Sequence, residues 1–169
     1  MNKKSIFILT IVLICVLFQR TSFSQTYTDF TLPDLNNNDV TLSTFIDRGP
    51  VMISFWATWC SPCKEELKKM QTIYEKYKEY GFEYLAINLD NQKSIAKVKS
   101  YITSQGYTFK VLLDFEKKVV EAYGGKEDEI PYSVLIGKDK TILNTHLGFK
   151  SGDEIKIEKE IRTALGLEK

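Results

Sequence analysis

Two rhythms of apolar and polar positions run along this chain, and each change of rhythm marks a change of element. Val51 to Trp56 is a short, largely apolar run that suits a strand buried on both faces. From Ser61 to Tyr80 the spacing turns helical. Cys63, Leu67, Met70, Tyr74 and Tyr77 recur at steps of four and three, which stack on one face. Pro62 fits the first turn, where its missing N–H would have had no partner, and Gly81 is the expected stop. Phe82 to Leu89 is the next predicted strand, and Ser94 to Ser104 a second helix ending ahead of Gly106. Phe109 to Leu113 reads as a short strand and Lys117 to Tyr123 as a helical piece stopped by Gly124-Gly125. Tyr132 to Ile136 and Thr141 to Leu147 are two strands around a turn at Gly137-Lys138-Asp139-Lys140, and Asp153 to Leu165 closes the chain as an amphipathic helix.

Ahead of these elements, Thr28 to Phe45 reads as a small β extension. Phe30-Thr31-Leu32 and Val40-Thr41-Leu42 are short strands joined by a loop of turn formers from Pro33 to Asp39. The order β-α-β-α-β-α followed by β-β-α implies parallel crossovers first and a hairpin last. The expected class is therefore α/β, a central mixed sheet flanked by helices.

The first 24 residues carry a different pattern. Lys3 and Lys4 precede an apolar run from Ile6 to Phe18, interrupted by Thr10, and Ser22-Phe23-Ser24 supplies small residues just before Gln25. This is the layout of a secretory signal peptide. The run is about 13 residues, short of the ~20 that span a bilayer core, so an uncleaved membrane anchor is the competing reading. Residues 1–24 are thus expected to be a signal and residues 25–169 one domain, exported to the periplasm. Cys15 is a passenger of the apolar run. Removing the signal takes away Lys3, Lys4 and Arg20 and no acidic residue, which moves the formal charge from +1 to −2. A near-neutral surface gives nucleic acid no electrostatic handle, and the mixed charges from Lys64 to Lys69 read as a solvated helix face.

Two cysteines remain after the signal, Cys60 and Cys63, separated by two residues. A structural bridge usually closes a longer loop, because the chain entropy it removes grows with loop length. The string Trp56-Ala57-Thr58-Trp59-Cys60-Ser61-Pro62-Cys63 sits where a buried strand gives way to a helix, the setting of a redox CxxC. Residues three apart on a helix share a side, so the sulfurs can bridge and unbridge with little backbone movement. Cys60, at the helix N-terminus, meets unpaired N–H groups that favour a thiolate and is the candidate nucleophile. Cys63, heading the apolar stripe, is the candidate resolving thiol. The alternatives are a static disulfide or half of a metal site, although zinc wants four ligands and the remaining histidine, His146, is distant in sequence.

With this motif the chain resembles the TlpA/ResA-like branch of the thioredoxin superfamily, with an AhpC/TSA-redoxin-like N-terminal extension. The match includes Asp29-Phe30-Thr31-Leu32-Pro33-Asp34-Leu35, Thr41-Leu42-Ser43, the Trp56–Cys63 string and Ile130-Pro131-Tyr132. The resemblance implies a thioredoxin fold and an exported thiol–disulfide oxidoreductase, without a cofactor. The resemblance further implies that the chain would act on protein disulfides, as a reductant of cysteines such as those of apocytochrome c, and be recharged by a membrane-bound donor. Nothing in the sequence demands more than a monomer. The family places a cis-proline opposite the CxxC, and Pro131 matches it by context. Its role would be to present the Ile130 backbone to a substrate chain, and the plain alternative is a trans proline starting a strand. Related reductants carry a glutamate where this chain has Glu66, one turn after Cys63. There a desolvated carboxylate could shuttle protons to the thiols; otherwise Glu66 is an exposed residue pairing with Lys69. Thioredoxins bury an aspartate six residues before the first cysteine, and this chain has Ser54 there, so another group must handle protons. Trp59 is expected on the rim of the substrate groove, and Trp56 and His146 are expected to be ordinary strand residues.

Two other activities compete. A disulfide-forming oxidase would use the same fold and motif. The N-terminal half is also similar to peroxiredoxins, but their proline and threonine seven and three residues before the peroxidatic cysteine are replaced here by Ile53 and Ala57.

Overall fold

A computed structural model describes residues 26–168. The expected signal at 1–24, with Cys15, lies outside the described residues. The chain forms a short antiparallel pair, β1 (Thr31–Pro33) and β2 (Asp39–Thr41), a one-turn helix α1 (Ser43–Ile46), then β3 (Val51–Trp56) and the long helix α2 (Ser61–Tyr77). There follow β4 (Glu83–Asn88), α3 (Ile95–Gln105), β5 (Lys110–Leu113), α4 (Lys118–Ala122), the pair β6 (Tyr132–Ile136) and β7 (Ile142–Leu147), and α5 (Asp153–Ala164). The main sheet has the order β5-β4-β3-β6-β7. β3, β4 and β5 run parallel, and β6 and β7 are antiparallel, so the crossovers come first and the hairpin last.

β3 sits at the centre and is buried along its whole length. Its alternate residues feed two cores. Met52 and Trp56 face Leu67, Met70, Ile157 and Ile161 of α2 and α5. Val51, Ile53 and Phe55 face the other layer, with Ile46 of α1 and Val120 of α4. Burial of a large aliphatic or aromatic side chain stabilises by roughly 1.5–3 kcal/mol, so this strand anchors both halves of the domain. The extension covers a sheet edge: Asp34 bridges to Leu112 of β5, which shields backbone groups that would otherwise be open to another chain.

Helix ends follow sequence chemistry. After α2 a short 3-10 turn (Lys78–Tyr80) runs into Gly81, whose φ of 93° ends the helix. Gly49 approaches it so closely that a Cβ there would lie 2.2 Å from the Gly81 carbonyl oxygen. Asp114 caps α4, its carboxylate accepting the Val119 and Val120 N–H groups at 3.0 and 3.1 Å. Two readings need correction. The helix α1 arises within the stretch expected to be β extension, because Phe45 and Ile46 turn into the core. On α2 the buried stripe runs through Cys63, Glu66, Leu67, Met70, Ile73 and Tyr77, with Tyr74 only half-buried, so the charge run from Lys64 to Lys69 is not wholly solvated.

Candidate functional site

The site forms where β3 ends and α2 begins. Leaving the sheet at Trp56, the chain turns at Ala57–Cys60, with the Cys60 N–H donating to the Ala57 carbonyl at 3.1 Å. Cys60 is the N-cap of α2, in extended backbone conformation, and Pro62 occupies the first turn. Cys60 and Cys63 are joined as a disulfide, with a Cα–Cα distance of 5.3 Å. Cys63 is fully buried and Cys60 is 5% exposed, so any approach must come from the Cys60 side. The Cys63 N–H donates to Cys60 Sγ at 3.2 Å. On reduction that donor and the helix N-terminus would hold the Cys60 thiolate.

Facing the disulfide is the turn into β6. The Ile130–Pro131 peptide bond is cis, and the Ile130 carbonyl oxygen lies 3.6 Å from Cys60 Sγ. Pro131 is buried and Ile130 half-buried. Trp59, preceding Cys60 in the chain, stands 60% exposed, whereas Trp56 is wholly buried and leans on Tyr101 at 5.7 Å between ring centroids. The structure thus brings together Cys60, Cys63, Ile130 and Pro131, with Trp59 next to Cys60 in the chain.

Glu66 is 1% exposed, one turn after Cys63 on the inner face of α2. It does not pair with Lys69, which instead meets Glu154 of α5 at 2.7 Å. Its partners are hydroxyls: Ser54 on β3 donates at 2.5 Å and Tyr84 on β4 at 3.3 Å. Desolvation outweighs these two bonds and lifts the carboxyl to about 7. An acid buried one turn after Cys63, with a pKa near neutrality, can take or return a proton at physiological pH. Burial and the neighbouring Glu66 charge likewise push the Tyr84 phenol well above its usual value, so Tyr84 stays a donor.

A second polar cluster is absent from the expected set. Asp90, just past β4 and 5% exposed, accepts from the Thr58 N–H and Thr58 hydroxyl, each at 2.7 Å. Asn88 Nδ2 donates to the same carboxylate at 2.9 Å. These bonds pin the loop between Trp56 and Cys60 to the end of β4. The available signal was positional: Asn88 and Asp90 break an apolar strand at its C-terminal end, where parallel sheets gather their sites. His146 sits on β7 against Glu160 of α5, Nε2 to Oε2 2.7 Å, away from the disulfide in sequence and on the outer strand of the sheet.

A helix-capping disulfide, a facing cis-proline and a mixed sheet of this order define a thiol–disulfide oxidoreductase of the thioredoxin fold. Residues 24–145 match the AhpC/TSA family. The thiol–disulfide oxidoreductase ResA of Bacillus thuringiensis (strain Al Hakam) is 33% identical over 128 residues, 76% of this chain and 71% of that protein. ResA of Geobacillus thermodenitrificans is 32% identical over 132 residues, 78% of this chain and 73% of that protein. Among solved structures, a protein assigned as thiol:disulfide interchange protein DsbE from Chlorobium tepidum superposes with a TM-score of 0.77. It is 31% identical and is matched over 85% of this chain and 97% of its own. The chain belongs to the AhpC/TSA family, in the ResA/TlpA-like branch of the thioredoxin superfamily.

Proposed function

We propose that this chain is an exported, periplasmic reductant of disulfides in extracytoplasmic proteins, the cysteines of apocytochrome c among them, recharged by a membrane-bound donor. In the reduced state the Cys60 thiolate attacks a substrate disulfide, and one substrate sulfur leaves as a thiolate that takes a proton from solvent. Cys63 gives its proton to the Glu66 carboxylate and attacks Cys60 Sγ, and the second substrate sulfur leaves. Two electrons pass to the substrate, and the Cys60–Cys63 disulfide forms. Ile130 and Pro131 offer backbone to the substrate chain, and Trp59 forms the rim.

The observation that carries the direction of electron flow is the company Cys60 keeps. Its sulfur faces a carbonyl oxygen, Ile130, at 3.6 Å, and its partner Cys63 lies one turn from a buried carboxylate. Among the described residues no cation is hydrogen-bonded to it. Strong oxidants stabilise their reduced form through the thiolate; here the Cys63 N–H and the helix N-terminus favour that charge, but the facing oxygen opposes it with no such cation to offset it, which supports a lower potential. The test is equilibration of the purified domain with defined thiol buffers. A potential near or below the ~−270 mV of thioredoxin supports a reductant, and one near ~−120 mV makes the protein a disulfide-forming oxidase. N-terminal sequencing of the exported chain, expected to begin at Gln25, tests the export signal.

A further inference from the structure

The sheet layer that faces α2 and α5 is apolar over most of its surface, with Met52, Trp56, Ala86, Val111 and Leu135 in it. One row across it is polar. Ser54 on β3 stands opposite Ser133 on β6, and Ser133 stands opposite His146 on β7. Side chains alternate along a strand, so Ser54 shares a face with Met52 and Trp56, and Ser133 shares that face with Leu135. Both ends of the row reach acids. Ser54 donates to Glu66, and His146 Nε2 lies 2.7 Å from Glu160 Oε2. The inner end is sealed, whereas the His146 and Glu160 side chains are 14% and 16% exposed. In the middle the Ser133 hydroxyl is buried and has no hydrogen-bond partner among the described residues. Leaving such a group unpaired costs about 1–3 kcal/mol, which an alanine would avoid. Directly opposed residues hold their Cβ atoms about 4.5–5.5 Å apart, so rotation about χ1 can bring a serine hydroxyl to either neighbour in turn.

We propose that Ser54, Ser133 and His146 form a proton-conducting row that links Glu66 to solvent at the His146–Glu160 pair. Ser133 and His146 are then positioning residues for the proton step of thiol–disulfide exchange, a role that rests on Glu66 being the proton acceptor for Cys63. Protonated Glu66 donates to Ser54 Oγ, the Ser54 hydroxyl proton passes to Ser133, and the Ser133 proton passes to a ring nitrogen of His146. The imidazolium releases it to Glu160 or water. Each serine gains one proton and yields one, no electron moves, and the reverse sequence delivers a proton inward. The other group on Glu66, Tyr84 of β4, leads instead towards the rings of Phe109 and Tyr107. Around His146 the remaining charged groups are Glu160 and Lys156 of α5, Asp153 at its start, and Lys150.

The test is stopped-flow tryptophan fluorescence of the reduced chain mixed with glutathione disulfide, from pH 5 to 9, in H2O and D2O. Ser133→Ala and His146→Gln are each expected to slow the intramolecular step near pH 7 on the order of 10-fold, as removal of proton transfer does, with a larger solvent isotope effect. Ser133→Thr keeps the hydroxyl and should restore the parent profile. Should Ser133→Ala fail to fold, His146→Gln on the outer strand carries the same test. Parent-like profiles for both variants, with Glu66→Gln alone slowed, would overturn the row and leave Glu66 as the acceptor. A parent-like Glu66→Gln would remove the acceptor and the row together.

Discussion

Replacing Glu66 by glutamine isolates the energy held in its buried carboxylate. Burial raises this group from 4.5 to about 7, and the Ser54 and Tyr84 hydroxyls offset only part of that. In the unfolded chain it titrates near its ordinary value. Between the two values the folded protein holds the proton and the unfolded chain does not, so unfolding releases a proton and stability falls as pH rises. Above about 7 both states are ionised, and the folded state carries the whole penalty. At about 1.4 kcal/mol per pH unit, the distance from 4.5 to about 7 amounts to about 3 kcal/mol. Glutamine keeps the shape and a carbonyl for the Ser54 hydroxyl but does not ionise. Urea unfolding of oxidised parent and Glu66→Gln proteins, from pH 4 to 8.5, measures the difference directly, because every other titrating group is common to both. The difference should be flat at the acid end, shift by about 3 kcal/mol in favour of glutamine between pH 4.5 and 7, and then level off. A difference independent of pH, or one moving in favour of the parent, would refute a buried carboxyl with a raised pKa.

Four further outcomes follow from particular residues. Asp90→Ala strips partners from the buried Thr58 N–H, the Thr58 hydroxyl and the Asn88 amide. It should destabilise by about 2–4 kcal/mol in urea and slow glutathione-disulfide reduction as the loop before Cys60 loosens. Leu67→Ala empties a fully buried position one turn after Cys63 and should cost about 2–5 kcal/mol. Lys69→Ala, two residues on, breaks only a part-exposed pair with Glu154 and should leave the urea midpoint unchanged. Hydrogen-peroxide consumption should stay at background and be unaltered by Cys60→Ser, since the positions that carry proline and threonine in peroxiredoxins are the buried Ile53 and Ala57.

The fold was legible where one rhythm ran long enough. β3 was set by an apolar run buried on both faces, α2 and α5 each by a buried face that repeats with the helical period, and glycines at 81 and 106 with positive φ marked the stops. Cys60 and Cys63 were legible because their spacing has one economical geometry at a strand-to-helix junction. Glu66 was ambiguous for a physical reason: helical spacing puts it beside Leu67 and Met70, yet four charged neighbours between Lys64 and Lys69 suggested a wet face. Only the pairing of Lys69 with α5 resolves the two, and that contact spans 85 residues. Asp90, Asn88 and Thr58 stayed hidden for the same reason, as the bonds between Asp90 and Thr58 join residues 32 apart. Local pattern reports which face is buried; it does not report which distant hydroxyl or amide meets a lone carboxylate.

The exchange of an acid between strand and helix joins stability to chemistry. Ser54 occupies the strand position at which thioredoxins carry their buried aspartate, and it now donates to a carboxylate supplied by α2. A cation beside that carboxylate would have stabilised the folded state and held its pKa low, out of range of a thiol's proton at neutral pH. Two neutral hydroxyls do neither. They satisfy the oxygen while leaving the desolvation uncompensated, so the same energy appears once as lost stability above pH 7 and once as affinity for a proton. A substitution that relieves the first must weaken the second. Glu66→Gln should therefore be more stable and slower at pH 8, and a variant that is more stable yet equally fast would separate the buried acid from the exchange reaction.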